Sequence, residues 1–149
     1  MGEKIIAKNR KAPFNYELMD RFEAGLMLTG SEVKSLRAGK ANLGDSYVVP
    51  HGSELYLLNC HISPYPPAQR MNHEPLRSRK LLLHAAEILK ILGKLRERGL
   101  ALIPTKLYFK GGRAKVEIAL ARGKKLFDKR QDLRKKDHAR EMERALKRK

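Results

Sequence analysis

The stretch LALIPTKLYFKGGRAKVEIAL, residues 100–120, predicts a β-hairpin. Both arms are rich in apolar residues, and Val116, Ile118 and Leu120 alternate with polar or small residues along the second arm. The sequence KGG between the arms is typical of a tight turn. Two more short strands, DSYVV at 45–49 and ELYLL at 54–58, flank a turn at 50–53. Short antiparallel strands with few helices predict a mainly β fold, an oligonucleotide-binding-like antiparallel β-barrel with flanking α-helices.

Four further segments complete the predicted architecture. Residues 15–30 fit a bent pair of strands or a helix, and Gly25 favours a bulge or bend in a strand. Residues 31–39 predict a short helix that Ser31 caps and Gly39 ends. Four prolines predict an irregular basic loop over 63–79. The leucine-rich run at 80–99 predicts an amphipathic helix with Leu81 on its core face.

The charge of the chain points to a polyanionic partner. Its 149 residues, the size of one domain, include 33 Lys and Arg against 16 Asp and Glu, for a formal net charge of +17. Such a charge opposes compaction, and nucleic acid is the commonest partner that neutralises it. Residues 122–149 hold 13 basic and 5 acidic residues, a net +8, and the remaining 121 residues carry +9.

The last 28 residues lack the means to build a core. Their only large aliphatic residues are Leu126, Leu133, Met142 and Leu146. That apolar area is too small to offset the entropy of ordering, roughly 1–2 kcal/mol per residue. We therefore predict an RNA-binding β-barrel domain over 1–121 and a basic C-terminal tail over 122–149. The tail is expected to be disordered when free and helical on its partner.

Several features argue against secretion, membrane insertion and catalysis. Cys60 is the only cysteine, which suits a reducing compartment, and the sequence has neither a signal-peptide pattern nor a transmembrane run. Lys34 stands where a P-loop would need its first glycine. The pair Cys60–His61 has no further histidine at metal-site spacing. We expect a soluble cytoplasmic protein that has no enzymatic activity, no metal, no cofactor and no membrane partner.

One enzymatic alternative remains open at this point. Glu17, Asp20 and Glu23 form a carboxylate cluster of the kind that holds metal ions for phosphodiester cleavage. Polar positions on a half-exposed element explain the same three residues without any catalysis.

Basic residues interleaved with aromatic residues predict RNA binding. They recur in NRKAPFNY at 9–16, VKSLRAGK at 33–40, QRMNHEPLRSRK at 69–80 and KLYFKGGRAK at 106–115. Their cations can neutralise phosphates, while Phe14, Tyr16 and Tyr108 can stack on unpaired bases.

Five ordered motifs between residues 9 and 130 carry a family resemblance. They are NRKA at 9–12, EAGLMLTGSEVKSLRAGKANLGDSY at 23–47, RSRKLLLH at 77–84, LYFKGGRAKVEIALARGKK at 107–125 and DKR at 128–130. Together they resemble SmpB, the SsrA-binding small protein B of bacteria. The resemblance implies a barrel that binds the tRNA-like domain of transfer-messenger RNA (SsrA). It also implies delivery of that RNA to stalled ribosomes, which starts trans-translation.

The resemblance also implies which residues contact RNA. The family's RNA-contacting residues match Glu23, Leu82 and Lys115, and its interface tyrosine matches Tyr16. From residue chemistry, Lys115 can pair with a phosphate, and Glu23 can accept hydrogen bonds from base or ribose edges or orient a nearby cation. The leucine pattern by itself would place Leu82 in the core.

In the tail, the resemblance implies contacts with the small-subunit decoding centre and the mRNA channel of the ribosome. The matching residues are Gly123, Lys124, Lys125, Asp128, Lys129 and Arg130. Phe127 departs from the Tyr or His common there, keeping the capacity to stack but not to donate a hydrogen bond. As a helix, ~20 residues span about 30 Å of an empty channel, with Gly123 as the hinge. We expect the protein to be a monomer. The alternative is a basic ribosomal or other RNA-binding barrel protein with a structural role.

Overall fold

Nine β-strands and three α-helices make up most of the computed structural model, which describes residues 3–97, 99–124 and 140. The elements, in chain order, are β1 Lys4–Lys8, α1 Ala12–Asn15, β2 Tyr16–Leu26, α2 Gly30–Arg37, β3 Ala41–Asn42, β4 Tyr47–His51, β5 Glu54–Leu58, β6 His61–Ile62, β7 Arg79–Leu82, α3 Ala85–Leu95, β8 Leu100–Lys110 and β9 Arg113–Gly123.

Seven strands form one antiparallel sheet in the order β1-β8-β4-β5-β7-β2-β9. Because β9 also pairs with β8, six of these strands close into a ring. One edge of β8 lies along β9, while its other edge pairs first with β4 at Leu102 and then with β1 from Lys106 to Phe109. The two short strands β3 and β6 pair separately. The prediction of a mainly β, antiparallel fold with a few helices is confirmed.

The predicted hairpin is present and forms the longest ladder of the sheet. Gly111 and Gly112 form its turn with φ values of 59° and 75°, a left-handed conformation that glycine adopts without strain. Val116, Ile118 and Leu120 on β9 are almost fully buried inside the ring. They pack in one cluster with apolar residues of the other strands, of α2 and of α3.

Most of the segment 15–30 forms a strand and not a helix. β2 runs unbroken from Tyr16 to Leu26, and its irregularity falls between Leu18 and Arg21. Gly25 is therefore not a bulge. Its Cα lies opposite two strands at once, where β2 pairs with both β7 and β9.

Two helix predictions need correction at their starts. Thr29 caps α2 in place of Ser31, in a reciprocal capping box with Glu32. Gly39 follows the end of α2 with a φ of 73°, as predicted. The helix predicted over 80–99 begins only at Ala85, because residues up to Leu82 form β7. A run of consecutive leucines satisfies either periodicity, and strands β5 and β2 supply the partners for a strand.

The proline-rich loop is also more regular and less basic than predicted. Pro66–Met71 contains two short 3₁₀ turns that are separated by a kink at Gln69, which has a positive φ of 47°. Arg79, counted among the RNA-facing residues of this loop, is the first residue of β7 and is completely buried. Its guanidinium serves the core and does not face a ligand.

Candidate nucleic-acid interface

Gly25 is the point at which three strands meet. Its Cα lies opposite Leu82 of β7 on one side and Lys115 of β9 on the other. A Cβ at this position would lie 3.3 Å from the Cβ of Leu82, closer than ordinary packing distances. The missing side chain therefore lets β7 approach, and it brings Leu82 and Lys115 to the same part of the surface.

A groove of about 710 Å³ lies over this meeting point. It contains Glu23, Leu82 and Lys115, three of the four predicted RNA-contacting residues of the β-barrel domain. The other residues that line it are Gly25, Glu54, Lys80, Leu81, Leu83, His84 and Glu87. The leucine side chain at 82 is 48% exposed, so it is a surface contact and not a core residue. An apolar contact, a cation and a carboxylate thus share one site.

The carboxylate of Glu23 is held by two donors from β8. The Tyr108 hydroxyl donates to its Oε2 at 2.6 Å, and the Lys110 ammonium approaches the same oxygen at 3.3 Å. The hydrogen bond from Tyr108 is the main cause that lowers the pKa of Glu23, with further lowering by Lys110 and Lys115 and opposition from burial. Glu23 is therefore an ionised acceptor at neutral pH.

Tyr108 cannot stack on an unpaired base, contrary to the prediction from sequence. The residue is only 2% exposed. Burial, followed by the bond to Glu23, raises the pKa of its hydroxyl, so it stays a neutral donor. The Lys106 ammonium lies 5.0 Å from the centre of its ring. Tyr108 contributes to the site from below, through Glu23.

Cations surround this groove, although part of their charge is compensated. The Lys80 ammonium approaches the Glu54 carboxylate at 3.6 Å, and both side chains are just over one third exposed. Exposed pairs of this kind are weak in water and readily exchange partners with phosphates. The groove can therefore bind a phosphate, offer an apolar surface and accept a hydrogen bond, which suits a ribonucleotide ligand.

Tyr16 lies elsewhere on the molecule. It begins β2, opposite Gly123, seven residues from Glu23, a separation of roughly 20 Å along a strand. It lines a separate groove with Asn15, Tyr47 and neighbouring residues. Half-buried Phe14 lines another groove, which is rich in basic residues, Lys8, Arg10, Arg21, Lys106 and Lys124. The fourth predicted contact is thus not part of the Glu23 groove.

Of the predicted ribosome-binding tail residues, the structure describes only Gly123 and Lys124. Gly123 still belongs to β9 and pairs with Tyr16, and the backbone N–H of Lys124 donates to Asn15 at 2.9 Å. A hinge at Gly123 would have to break these contacts. Lys125, Phe127, Asp128, Lys129 and Arg130 lie outside the described residues.

The carboxylates considered for a nuclease are spread along β2. Glu23 is engaged with Tyr108 and Lys110, and Glu17 lies opposite Arg122. Among residues 3–97, 99–124 and 140, no group of three His, Cys, Asp or Glu side chains is placed to hold a metal. Burial raises the pKa of the Cys60 thiol to about 11, which keeps it protonated and unreactive.

Sequence reasoning missed a largely buried ionic cluster of Glu32, Arg77 and Arg79. Glu32 of α2 accepts hydrogen bonds from Arg77 and Arg79, and Arg79 also donates to the carbonyls of Cys60 and Pro75. This cluster joins α2 and the 63–79 loop to the start of β7, the strand that carries Leu82. No local pattern reveals it, since Glu32 lies 45 and 47 positions from its two arginine partners. In the described part of the chain, no helix is long and apolar enough to cross a membrane.

Comparison with known proteins identifies close relatives. A family model described as "SmpB protein" matches residues 6–148, which includes the tail. A protein from Desulforudis audaxviator named "SsrA-binding protein" is 58% identical over 143 residues, covering 96% of this chain and 94% of that protein. Another of the same name from Geobacter metallireducens is 56% identical over 146 residues, covering 98% and 95%.

Similarity extends to a solved structure. It is described as "tmRNA-SmpB: a journey to the center of the bacterial ribosome", and one of its chains superimposes with a TM-score of 0.67. That chain is 48% identical to this one, and the match covers 80% of this chain and 84% of the other.

Proposed function

The chain belongs to the SmpB protein family, and on this premise we propose that it binds the tRNA-like domain of transfer-messenger RNA. It delivers that RNA to stalled ribosomes for trans-translation. Its role is recognition and delivery, and it is not an enzyme. Its partners are this RNA and the ribosome.

The observation that carries the proposal is the groove at Gly25. Glu23, Leu82 and Lys115 are distant in sequence, yet three adjacent strands bring them to one surface. Lys115 supplies a phosphate contact, Leu82 an apolar contact and Glu23 a hydrogen-bond acceptor. Phosphate contacts position an RNA, while contacts to ribose and base edges make its binding selective.

The closed ring of strands supports a finer assignment of the fold. Six strands that close through β8 and β9, with α2 and α3 packed against their core, fit an oligonucleotide-binding-like barrel. In such barrels, a strand face and its neighbouring loops bind the nucleic acid. The Glu23 groove lies on strands β2, β7 and β9 and uses this kind of surface.

We assign residues 1–121 to RNA binding and residues 122–149 to the ribosome. The tail carries +8, is expected to be disordered when free, and forms a helix in the empty mRNA channel next to the decoding centre. Within it, we assign the ribosomal contacts to Gly123, Lys124, Lys125, Phe127, Asp128, Lys129 and Arg130. Tyr16 contributes to the RNA interface from the other end of β2. We place the protein in the cytoplasm and expect it to act as a monomer without a cofactor.

Recovery of bound RNA tests this function directly. The tagged full-length chain is captured from bacterial lysate at physiological salt, and the RNA that accompanies it is sequenced. We expect strong enrichment of transfer-messenger RNA over tRNA. Capture of rRNA alone, retained through high-salt washing, would instead identify a structural ribosomal protein. Equal binding of bulk tRNA would contradict the proposal.

A further inference from the structure

Tyr108 makes the shorter of the two hydrogen bonds that hold the Glu23 carboxylate. Its ring is buried on β8 and its hydroxyl reaches Oε2 of Glu23 at 2.6 Å. The second donor, Lys110, approaches the same oxygen from the exposed end of β8 at 3.3 Å. A donor fixed by a buried ring has less freedom than a lysine head group, so Tyr108 sets the orientation of the carboxylate.

Both internal bonds use the same oxygen of Glu23. Within the described part of the chain, no hydrogen bond to the other oxygen, Oε1, is present. A carboxylate has about four lone-pair positions, and the free oxygen keeps its own capacity to accept. Glu23 thus has one oxygen used by the fold and one available to a ligand.

From this geometry we infer that Tyr108 is a positioning residue for RNA recognition, one that orients Glu23 so that Oε1 accepts a hydrogen bond from an uncharged donor of the RNA. The inference rests on the proposed function and deepens it. A phosphate lacks such a donor at neutral pH and is repelled by the carboxylate. The ligand group is therefore a ribose 2′-hydroxyl or an exocyclic amino group of a base.

Preorganisation explains why a carboxylate in a basic interface benefits from a buried partner. A free glutamate side chain samples several rotamers and turns toward the nearest ammonium. Fixing one oxygen removes that freedom before the RNA arrives, so less entropy is lost on binding. The ionisable groups around Glu23 are Lys110 of β8, Lys115 and Glu117 of β9, and the groove-lining residues Glu54, Lys80, His84 and Glu87.

Four variants of the full-length chain and one control test the inference in a binding assay with transfer-messenger RNA. Tyr108→Phe removes only the hydroxyl, and we expect about fivefold weaker binding. Glu23→Asp keeps the charge but shortens the reach, and we expect a similar loss. Glu23→Ala should cost about tenfold, and adding Tyr108→Phe to it should cost nothing further. Tyr65→Phe, outside the groove, is the matched hydroxyl deletion and should bind as wild type.

A measurement without RNA provides an independent readout. Carbon-13 NMR of the Glu23 carboxyl group should report a higher pKa in Tyr108→Phe than in wild type, because the leading cause of its lowering is removed. If Tyr108 served only in packing, the pKa of Glu23 would be the same in Tyr108→Phe and in wild type. An unchanged Glu23 pKa would overturn the inference.

The outcomes of the binding assay separate this inference from the function on which it rests. Weaker RNA binding in Glu23→Ala but not in Tyr108→Phe would overturn the inference and leave the proposed function standing. Additive losses of affinity in the double variant would do the same. Unchanged binding in both Glu23→Ala and Lys115→Ala would remove the groove from the proposed function.

Single-atom changes in the RNA distinguish the two sources of the donor. Single 2′-deoxy substitutions that weaken binding of wild type but not of Glu23→Ala would assign the donor to ribose. The same pattern for deletion of a base amino group would assign it to a base. If no position shows either pattern, the inference is overturned.

Discussion

Glu32 of α2 and Arg79 of β7 form an ion pair in which neither side chain has exposed surface. Arg77 adds a second guanidinium contact to the same carboxylate at 2.7 Å, and the carboxylate also accepts from the backbone N–H of Thr29 at 2.8 Å. A buried charge is tolerated only when it is paired and fully hydrogen-bonded. Within the described residues, no buried side-chain polar atom lacks a partner.

Breaking this pair should destabilise the fold strongly. Arg79→Met leaves Glu32 buried without its innermost partner, and we expect a loss of about 3–5 kcal/mol in the free energy of unfolding. Arg21→Met is the matched control, because the Arg21–Glu117 pair is more than half exposed on the arginine side and should cost under about 1 kcal/mol. Denaturant unfolding of both variants measures the difference. Equal midpoints would refute this role for the pair.

The same carboxylate predicts an acid limit of stability. Burial raises the pKa of Glu32, but hydrogen bonds from Arg77, Thr29 and Arg79 outweigh it and place the pKa below the ordinary 4.5. The pair therefore stabilises the fold fully above about pH 4.5, and this contribution is lost as the pH falls through the folded-state pKa. Thermal melting of wild type and Glu32→Gln between pH 7 and pH 3 should converge at the acid end. A melting-temperature difference between the two proteins that stays constant down to pH 3 would contradict this prediction.

Lys115→Ala should weaken RNA binding and flatten its dependence on salt. Each neutralised phosphate contributes about 0.9 to the slope of log K against log salt in duplex and about 0.7 in single strands. We expect the slope to fall by about one phosphate equivalent, measured by gel shift at several salt concentrations. Lys4→Ala, an exposed lysine on β1 outside the groove, is the control. An equal change in both variants would indicate a nonspecific charge effect.

Gly25→Ala should damage the groove more than the fold. The new Cβ would meet the Leu82 Cβ at 3.3 Å, so β7 has to shift by a few tenths of an ångström. We expect weaker binding of transfer-messenger RNA with only a small loss of thermal stability. Gly30→Ala is the control, because nothing lies within 4 Å of a Cβ at that position. Normal RNA binding by Gly25→Ala would show that the groove tolerates the shift.

The free tail is predicted to exchange its amide hydrogens rapidly. Its composition provides too little apolar surface to order residues 131–148 in the absence of a partner. Hydrogen exchange of the isolated full-length chain measures this directly, with the β8–β9 hairpin as the protected reference. Strong protection across 131–148 would show that the tail folds without a ribosome.

Removing the tail should separate RNA binding from ribosome rescue. The deletion should start at residue 125, because Gly123 and Lys124 are hydrogen-bonded to the α1–β2 junction. We expect normal gel-shift binding of transfer-messenger RNA and loss of peptide tagging on a stop-less message in a reconstituted system. Replacing Asp128, Lys129 and Arg130 with Ala should give the same result.

A scrambled tail at constant charge tests the alternative role of an electrostatic anchor. If the order of the tail residues matters, the scrambled tail should abolish peptide tagging. Full tagging by the scrambled variant would show that the tail acts only through its charge. Loss of RNA binding on deletion would place the tail in the RNA interface.

The groove shows why single residues were harder to assign than the family. Ordered motifs over residues 9–130 were enough to identify the resemblance, which the family match over residues 6–148 confirms. The motif match alone grouped Tyr16 with Glu23, but β2 separates them by its own length. Tyr108 and Arg79 were counted as ligand-facing because both lie in segments that interleave basic and aromatic residues, and both are buried.

Local pattern alone determined the β8–β9 hairpin, its Gly111–Gly112 turn and the excess of positive charge, because each depends on neighbouring residues. The secondary structure of residues 79–82 depended on tertiary structure, because this leucine-rich segment forms a strand only where β5 and β2 provide pairing partners. Long-range pairing also exposed Leu82 beside Gly25 and placed the Tyr108 hydroxyl on Glu23, 85 positions away. Hydrogen bonds and burial between distant strands are properties of the closed sheet, and no local sequence window contains them.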